Sequence, residues 1–461
     1  MYKGQGWYLR EIDLKSKKNF DILDFSHRFP EKYPYLLESS ATGNIDLSRY
    51  SIAFFKPNIV LKKIKGDTRN FLNEFDEIWK KTKVSQSNYF HDKQTHFPFL
   101  GGWFLYLGYE LVKEIEPSIT LPDSPYQIPT ALAARAPSAV IYDKKLNKLF
   151  FITDNEPACI EEMLDDFYNL KKKCNSESFL KRNYSVNLVN QGTKDEHCKD
   201  VKKCIDFIFD GEIFQANLSR LWEFVIDKDL KSTEIYKILR KSNPSPFGGL
   251  VMLPEGSIIS SSPERLVRVD KEKLETRPIA GTRPRGVSAL TDIHLSNELI
   301  SSTKERAEHL MLVDLERNDI SRVCKPGSVK VNEMMIVESY AHVHHIVSNI
   351  VGKLKKKINP GKIISAIFPG GTITGCPKVR CMEILGELEK IGRGPYTGSF
   401  GYVTHSGDLD LNILIRSMVL ENKKISLRAG GGIVADSIPE KETLETEAKA
   451  NGMLNALKLL Q

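Results

Sequence analysis

Short β-branched and aromatic strands, helical stretches and glycine-dense turns follow one another along this 461-residue chain without a regular strand–helix alternation. That irregularity constrains the fold more than any other feature. A doubly wound parallel sheet needs a helical crossover after nearly every strand, whereas an irregular mixture reads as α+β. Residues 138–142 and 148–152 flank the turn-like Asp143-Lys144-Lys145 and predict a β-hairpin. Residues 101–109 form an apolar run punctuated by glycine, which suits a closely approached strand or the start of a packed helix. Residues 171–196 are polar and poorly periodic, and read as a crossing between two halves.

With 41% hydrophobic and 27% charged residues, the composition is that of a globular protein. No apolar run nears the roughly 20 residues of a membrane helix, and residues 1–15 show no signal-peptide core. A cytoplasmic protein with no membrane partner is expected. Seven cysteines, with no CxxC and no zinc-finger spacing, fit a reducing compartment. The net charge of +7 comes partly from short lysine runs at 171–173 and 355–357. They lack the interleaved aromatics of a nucleic-acid surface, so no nucleic-acid partner is expected. A mild positive field would still draw a small dianion.

Residues 304–319 have a helical pattern, with Ala307, Leu310, Met311 and Leu315 on one stripe and Glu308 beside it, placed to face an interior or a cleft. A second carboxylate comes from the C-terminal segment. Ser437-Ile438-Pro439-Glu440 has the form of a capping box, and the helix expected through Leu444, Ala448 and Leu454 carries Glu445 and Lys449 on one face. An exposed ion pair would account for those two residues. Two helical glutamates facing each other across a cleft would instead suit Mg²⁺, which takes one or two carboxylates and leaves positions for substrate. Residues 370–377 form a glycine-rich turn before an amphipathic helix striped by Cys381, Ile384, Leu385 and Leu388, and 429–434 reads as another glycine turn. Such turns offer N–H groups to an anion, or simply reverse the chain tightly. Arg416 ends an apolar, strand-like run from Leu411 and is suited to clamp a carboxylate. His342, His344 and His345 alternate along a strand, but nothing nearby completes a zinc site.

Five segments, at 277–286 (RPIAGTRPRG), 304–323 (KERAEHLMLVDLERNDISRV), 344–348 (HHIVS), 368–389 (FPGGTITGCPKVRCMEILGELE) and 428–437 (RAGGGIVADS), together resemble the chorismate-utilising enzymes. That family includes component I of aminodeoxychorismate synthase and of anthranilate synthase, with the isochorismate and salicylate synthases. The resemblance covers a catalytic region, 195–461, and through 97–116 extends loosely to an amino-terminal region, 1–175. It implies a single large two-lobed body of two packed, mainly antiparallel sheets, with helices outside and the active site in a cleft.

The resemblance also implies roles. Glu308 and Glu445 match Mg²⁺-associated glutamates, with Lys449 nearby. Tyr402, Arg416 and the backbone of Gly430, Gly431 and Gly432 match groups that hold a substrate carboxylate. Thr372 and His345 match ring-side contacts, and Glu264 matches an acid for the leaving hydroxyl. Ala280, Gly281 and Thr282 occupy a motif in which aminodeoxychorismate synthases often carry a lysine nucleophile. Alanine cannot attack, and the alanine form is usual in anthranilate synthases. No stretch resembles a glutaminase, so a separate glutamine amidotransferase subunit supplying ammonia is implied. Residues 97–116, His344-His345 and Phe247 look like the aminodeoxychorismate group, while 36–39 and 243–246 resemble the tryptophan pocket of anthranilate synthases.

Overall fold

The computed structural model describes residues 2–4, 6–14, 20–41, 48–82, 97–172, 184–227, 229–339 and 343–461. Strand Gly102–Leu107 shows the logic of the whole body. All six of its residues are buried. Trp103, Leu105 and Leu107 enter one core, while Phe104 and Tyr106 enter another, the period-two alternation of a strand. An unbroken apolar run in a strand belongs to a sheet covered on both faces. Gly102 is needed there, because a Cβ would stand 2.2 Å from the Val403 carbonyl oxygen on the neighbouring strand.

Among the described residues the strands gather into two antiparallel sheets. The first has 13 strands. Its path runs Tyr2–Gly4, Trp7–Asp13, Lys148–Thr153, Ser138–Asp143, Tyr50–Phe55, Tyr35–Glu38, Gly248–Leu253, Gly256–Ser260, Ser417–Glu421, Lys424–Ile433, Gln215–Ile226 and Val186–Gln191, with Gly375–Cys376 added on Gln215–Ile226. The second has ten. It runs Ile279–Pro284, Val343–Lys353, Lys273–Thr276, Arg265–Asp270, Leu409–Asn412, Ser399–Thr404, Gly102–Leu107, Ala131–Ala136 and Asn58–Lys63, with Lys330–Ser339 added on Val343–Lys353.

The inner faces meet in a shared core. Phe54, Ile141, Phe150 and Ile258 of the first sheet pack with Phe104, Leu132 and Phe400 of the second, and Tyr35 stacks on Phe104 at 4.3 Å between centroids. Helices Ala158–Lys172, Ser232–Ser242 and Pro439–Lys458 cover the outer face of the first sheet. Helices Phe71–Lys81, Thr303–Ser321 and Pro360–Ile367 cover the second. The molecule is therefore α+β, with two packed antiparallel sheets and helices outside. Both sheets draw on both ends of the chain: Tyr35–Glu38 pairs with Gly248–Leu253, and Gly102–Leu107 with Ser399–Thr404.

The hairpin forms as expected, in register from Ser138 opposite Thr153 to Asp143 opposite Lys148. The crossing at 171–196 needs correction. Residues 173–183 lie outside the described residues, but Val186–Gln191 is an edge strand on Gln215–Ile226. Its lack of clear periodicity reflects exposure at the sheet edge, where Val186 is buried and Leu188 and Val189 stand in solvent. Among the described residues no helix is long and apolar enough to cross a membrane.

Candidate active site

Helices Thr303–Ser321 and Pro439–Lys458 belong to opposite layers, yet both reach one cavity of about 660 Å³. Glu308 from the first and Glu445 from the second line it. Consecutive glycines on strand Lys424–Ile433 let both carboxylates approach: a Cβ on Gly432 would stand 3.3 Å from Glu308 Oε1, and one on Gly431 3.5 Å from Glu445 Oε1. Gln215 Nε2 donates to Glu308 Oε1 at 2.8 Å. Lys449 Nζ lies 2.7 Å from Glu445 Oε1 and donates to the Gly430 carbonyl at 3.1 Å.

Two further carboxylates line the cavity, Glu305 and Glu442. Sequence reasoning missed both. The available signal was a repeated spacing, since each lies three residues before Glu308 or Glu445 and so shares its helix face. Among the described residues no group of three or more His, Cys, Asp or Glu side chains is arranged to hold a metal ion. The donors present are carboxylates on separate helices, a set that suits Mg²⁺ completed by substrate and water oxygens and not a closed zinc cage.

Helix Thr303–Ser321 buries a different face from the expected one. Ala307 and Leu310 are exposed, and His309, Leu312, Val313, Glu316 and Ile320 are buried. The C-terminal helix also starts differently. Ile438 is its N-cap and makes no side-chain cap bond; Ser437 Oγ instead donates to Glu442 Oε1 at 2.7 Å.

Glu264 is a buried acid on the cavity wall. Thr372 Oγ1 donates to its Oε1 at 2.7 Å. Burial pushes the carboxyl up to about 7, opposed by the Thr372 hydrogen bond, reinforced by Glu316 and opposed again by Arg416 and Lys449. Both its protonated and ionised forms are thus accessible near neutral pH.

Arg416 does not end a strand. Strand Leu409–Asn412 stops short of it, and Arg416 occupies a turn with φ +51°, a region that non-glycine residues enter at some energetic cost. Its side chain lines the cavity and makes no hydrogen bond or ion pair among the described residues. Burial lowers its pKa and Glu264 opposes this. A desolvated guanidinium without an ion-pair contact is unfavourable, and an entering carboxylate would supply the missing bidentate partner.

Strand Ile279–Pro284 pairs with Val343–Lys353 through a bulge between Ala280 and Thr282, where Gly281 adopts φ +65°. Ala280, Gly281 and His345 line the cavity. The backbone of Thr282 pairs with His345; its side chain lies outside those described. His345 Nδ1 is 3.4 Å from the Gly281 carbonyl. Burial draws this imidazole down to about 4, with Arg416 acting in the same direction, so it is neutral at pH 7. His344 turns away to Asp292, at 2.9 Å, and His342 lies outside the described residues.

The glycine triplet is part of strand Lys424–Ile433, not a turn. Gly430 and Gly432 line the cavity and Gly431 does not. A Cβ on Gly430 would stand 2.6 Å from the Leu218 carbonyl and 2.8 Å from Tyr396 Oη. Gly430→Ala is therefore expected to destabilise the fold by about 1–3 kcal/mol, the usual range for overpacking, seen as a lowered Tm. An unchanged Tm would show that the wall can yield.

Tyr402, expected to hold a substrate carboxylate, does not line this cavity. It faces a second cavity of about 360 Å³, with Glu38, Ser39, Phe247, Arg265 and Asp410. The tyrosine of the first cavity is Tyr396, held under the Arg393 guanidinium at 5.6 Å. Helix Lys378–Glu389 carries the expected buried stripe. Of the glycine-rich turn before it, Thr372 and Ile373 reach the cavity, but the helix N-terminus does not, and Lys378 pairs with Asp319.

Gln215 and Asn217 were also missed. They are two residues apart on strand Gln215–Ile226 and both line the cavity. Gln215 turns its amide nitrogen to Glu308, and Asn217 Nδ2 donates to the Thr372 carbonyl at 3.4 Å. Among the described residues their buried oxygens, Gln215 Oε1 and Asn217 Oδ1, have no hydrogen-bond donor. Donor-free buried acceptors are uncommon and point to a ligand or water that supplies N–H or O–H.

Comparison with known proteins places this geometry. The family described as "chorismate binding enzyme" matches residues 33–455. The chain is 42% identical over 366 residues to an anthranilate synthase component I-like protein of Synechocystis, covering 79% of this chain and 74% of that one. It is 38% identical over 446 residues to aminodeoxychorismate synthase component 1 of Bacillus subtilis, covering 93% and 92%. The crystal structure of anthranilate synthase component I from Streptococcus pneumoniae superposes with a TM-score of 0.76 at 29% identity, covering 88% of this chain and 92% of that one. The chain belongs to the chorismate binding enzyme family and is a chorismate-utilising enzyme of the anthranilate synthase and aminodeoxychorismate synthase type.

Proposed function

We propose that this protein is component I of an aminodeoxychorismate synthase. It would aminate chorismate with ammonia from a glutamine amidotransferase subunit, giving 4-amino-4-deoxychorismate for p-aminobenzoate and folate synthesis. The carrying observation is the convergence of Glu308, Glu445, Arg416 and Glu264 on one cavity. Chorismate has two carboxylates and an allylic hydroxyl that leaves poorly. Arg416 takes one carboxylate. Glu308 and Glu445 would hold Mg²⁺, which when bound neutralises carboxylate charge and orients the ring. Glu264 accepts a hydrogen bond at Oε1, which leaves Oε2 to carry the proton given to the departing hydroxyl. Neutral His345 borders the ring without adding charge.

The nucleophile must arrive as neutral ammonia. Gln215 Oε1 and Asn217 Oδ1 are acceptors suited to its N–H bonds. Among the described residues Lys449 is the sole lysine lining the cavity, and it is engaged by Glu445, which favours amination over attack by an activated water. The aminodeoxychorismate branch is supported by the 97–116 segment, His344-His345 and Phe247, and by the relative of that name in B. subtilis. The second cavity, with Leu37, Glu38, Ser39 and Pro246 on its wall, is where the tryptophan pocket of related enzymes would lie.

Ala280 favours a second reading, anthranilate synthase component I, with amination at C2 and loss of pyruvate. Alanine on the cavity wall cannot form the covalent C2 adduct that a lysine would. Incubation with chorismate, Mg²⁺ and ammonium, with products resolved by mass and fluorescence, separates the two. Aminodeoxychorismate, converted to p-aminobenzoate by an added lyase, is the expected product. Released anthranilate would establish the second reading, and unconsumed chorismate would remove both.

A further inference from the structure

Two buried carboxyls flank one short turn. Thr372, in turn Gly371–Ile373, donates its hydroxyl to Glu264. The residue before it, Gly371, donates its backbone N–H to Glu316 Oε1 at 3.2 Å. Thr276 Oγ1 donates to Glu316 Oε2 at 2.8 Å. Glu316 is 3% exposed, lines neither cavity and makes no ion pair among the described residues. The contact with the turn is close: a Cβ on Gly371 would stand 2.6 Å from Leu315 Cδ2 and 3.3 Å from Glu316 Oε1.

Asp319 neighbours Glu316 on its own helix, and Lys378 approaches from helix Lys378–Glu389 but pairs with Asp319. Arg322 and the Cys376 thiol lie near Asp319. On the far side of the turn Arg416 and Lys449 face Glu264.

We propose that Glu316 is a positioning residue that, through the Gly371–Ile373 turn, holds Thr372 against Glu264 and couples the two buried carboxyls across that turn. The proposal rests on the reading of Glu264 as the acid. Two buried carboxyls near each other resist simultaneous ionisation and titrate as a pair. Each is pushed up to about 7, chiefly by burial, with Asp319 the next cause for Glu316 and Glu316 itself raising Glu264. Glu316 thus shapes the acid without touching the substrate.

The test is the titration of Glu264 in the substrate-free protein, followed by its infrared carboxyl band and identified by the band's loss in Glu264→Gln. In Glu316→Gln the amide oxygen still accepts from Gly371 and the Thr276 hydroxyl can turn to accept, so the turn is retained. The Glu264 midpoint is expected to fall by about one pH unit, the scale of removing a like charge. At one unit above the wild-type midpoint this leaves about tenfold less acid form. The alkaline limb of the kcat profile should move with it, and KM for chorismate should stay within about twofold. An unmoved midpoint in folded Glu316→Gln overturns the proposal, as does a raised KM with an unmoved pH profile. Should that variant fail to fold, Thr276→Val leaves Glu316 in place but removes a hydrogen bond to its charged form. A smaller downward shift is then expected, and no shift overturns the proposal. The spectroscopic arm needs no turnover, so a wild-type protein inactive on chorismate would defeat the functional reading while leaving this test standing.

Discussion

Replacing Glu308 with glutamine is expected to lower chorismate turnover roughly a thousandfold while leaving the protein folded. Glutamine keeps the side-chain length and its hydrogen-bonding contact with Gln215, so only the negative charge is lost. A divalent cation that stabilises developing charge contributes several kcal/mol, and each 1.36 kcal/mol is about tenfold in rate. Glu308 is only partly buried, so the change leaves no buried orphan charge and should move Tm by little. The measurement is turnover against Mg²⁺ concentration beside a thermal melt. Wild-type turnover in a folded Glu308→Gln protein would show that this carboxylate holds no required metal.

Glu264→Gln should cost roughly 10²–10⁴-fold in kcat, the usual contribution of a general acid, and should also erase a pH limb. The wild-type carboxyl, pushed up to about 7 by burial, is the acid below that value and loses its proton above it. Activity is therefore expected to fall as pH rises through about 7, a limb absent from the residual activity of the variant. The same shift acts on stability. The ordinary value is 4.5 and the folded value is higher, so the folded state binds the proton more tightly. This stabilisation is complete below about 4.5 and is lost as pH rises through about 7. Glu264→Gln should flatten that decline in part, read as Tm against pH. A pH–rate profile identical to wild type would assign the acid elsewhere.

The α+β class was legible in the irregular alternation of strands and helices, whereas the two packed sheets came only through the resemblance, because an apolar run such as 101–109 fits a buried strand and a packed helix alike. The face of helix Thr303–Ser321 was not. A hydrophobic stripe marks the buried side only when the buried side is apolar. Here it carries His309, Glu316 and Asp319, bonded by Ser348 at the histidine Nε2, by Thr276 with Gly371, and by Lys378. The apolar Ala307 and Leu310 are left outside. The resemblance named Arg416, Glu308 and Glu445, which line one cavity, whereas the local pattern of the two glutamates suits a surface ion pair as well. One short stretch holds two equivalents: Tyr396 and Tyr402 lie six positions apart and point into different cavities. Gln215 and Asn217 gave no pattern signal at all. Their significance lies in carbonyl oxygens left without donors among the described residues, which only a packed structure reveals.

The pairing of Tyr35–Glu38 with Gly248–Leu253, and of Gly102–Leu107 with Ser399–Thr404, stitches the molecule along two seams. Exchanging the front of this chain for that of a relative would have to match backbone register at both seams at once. The part of the gene that carries the chemistry is thereby tied to an upstream partner sequence, and the two are bound to diverge together.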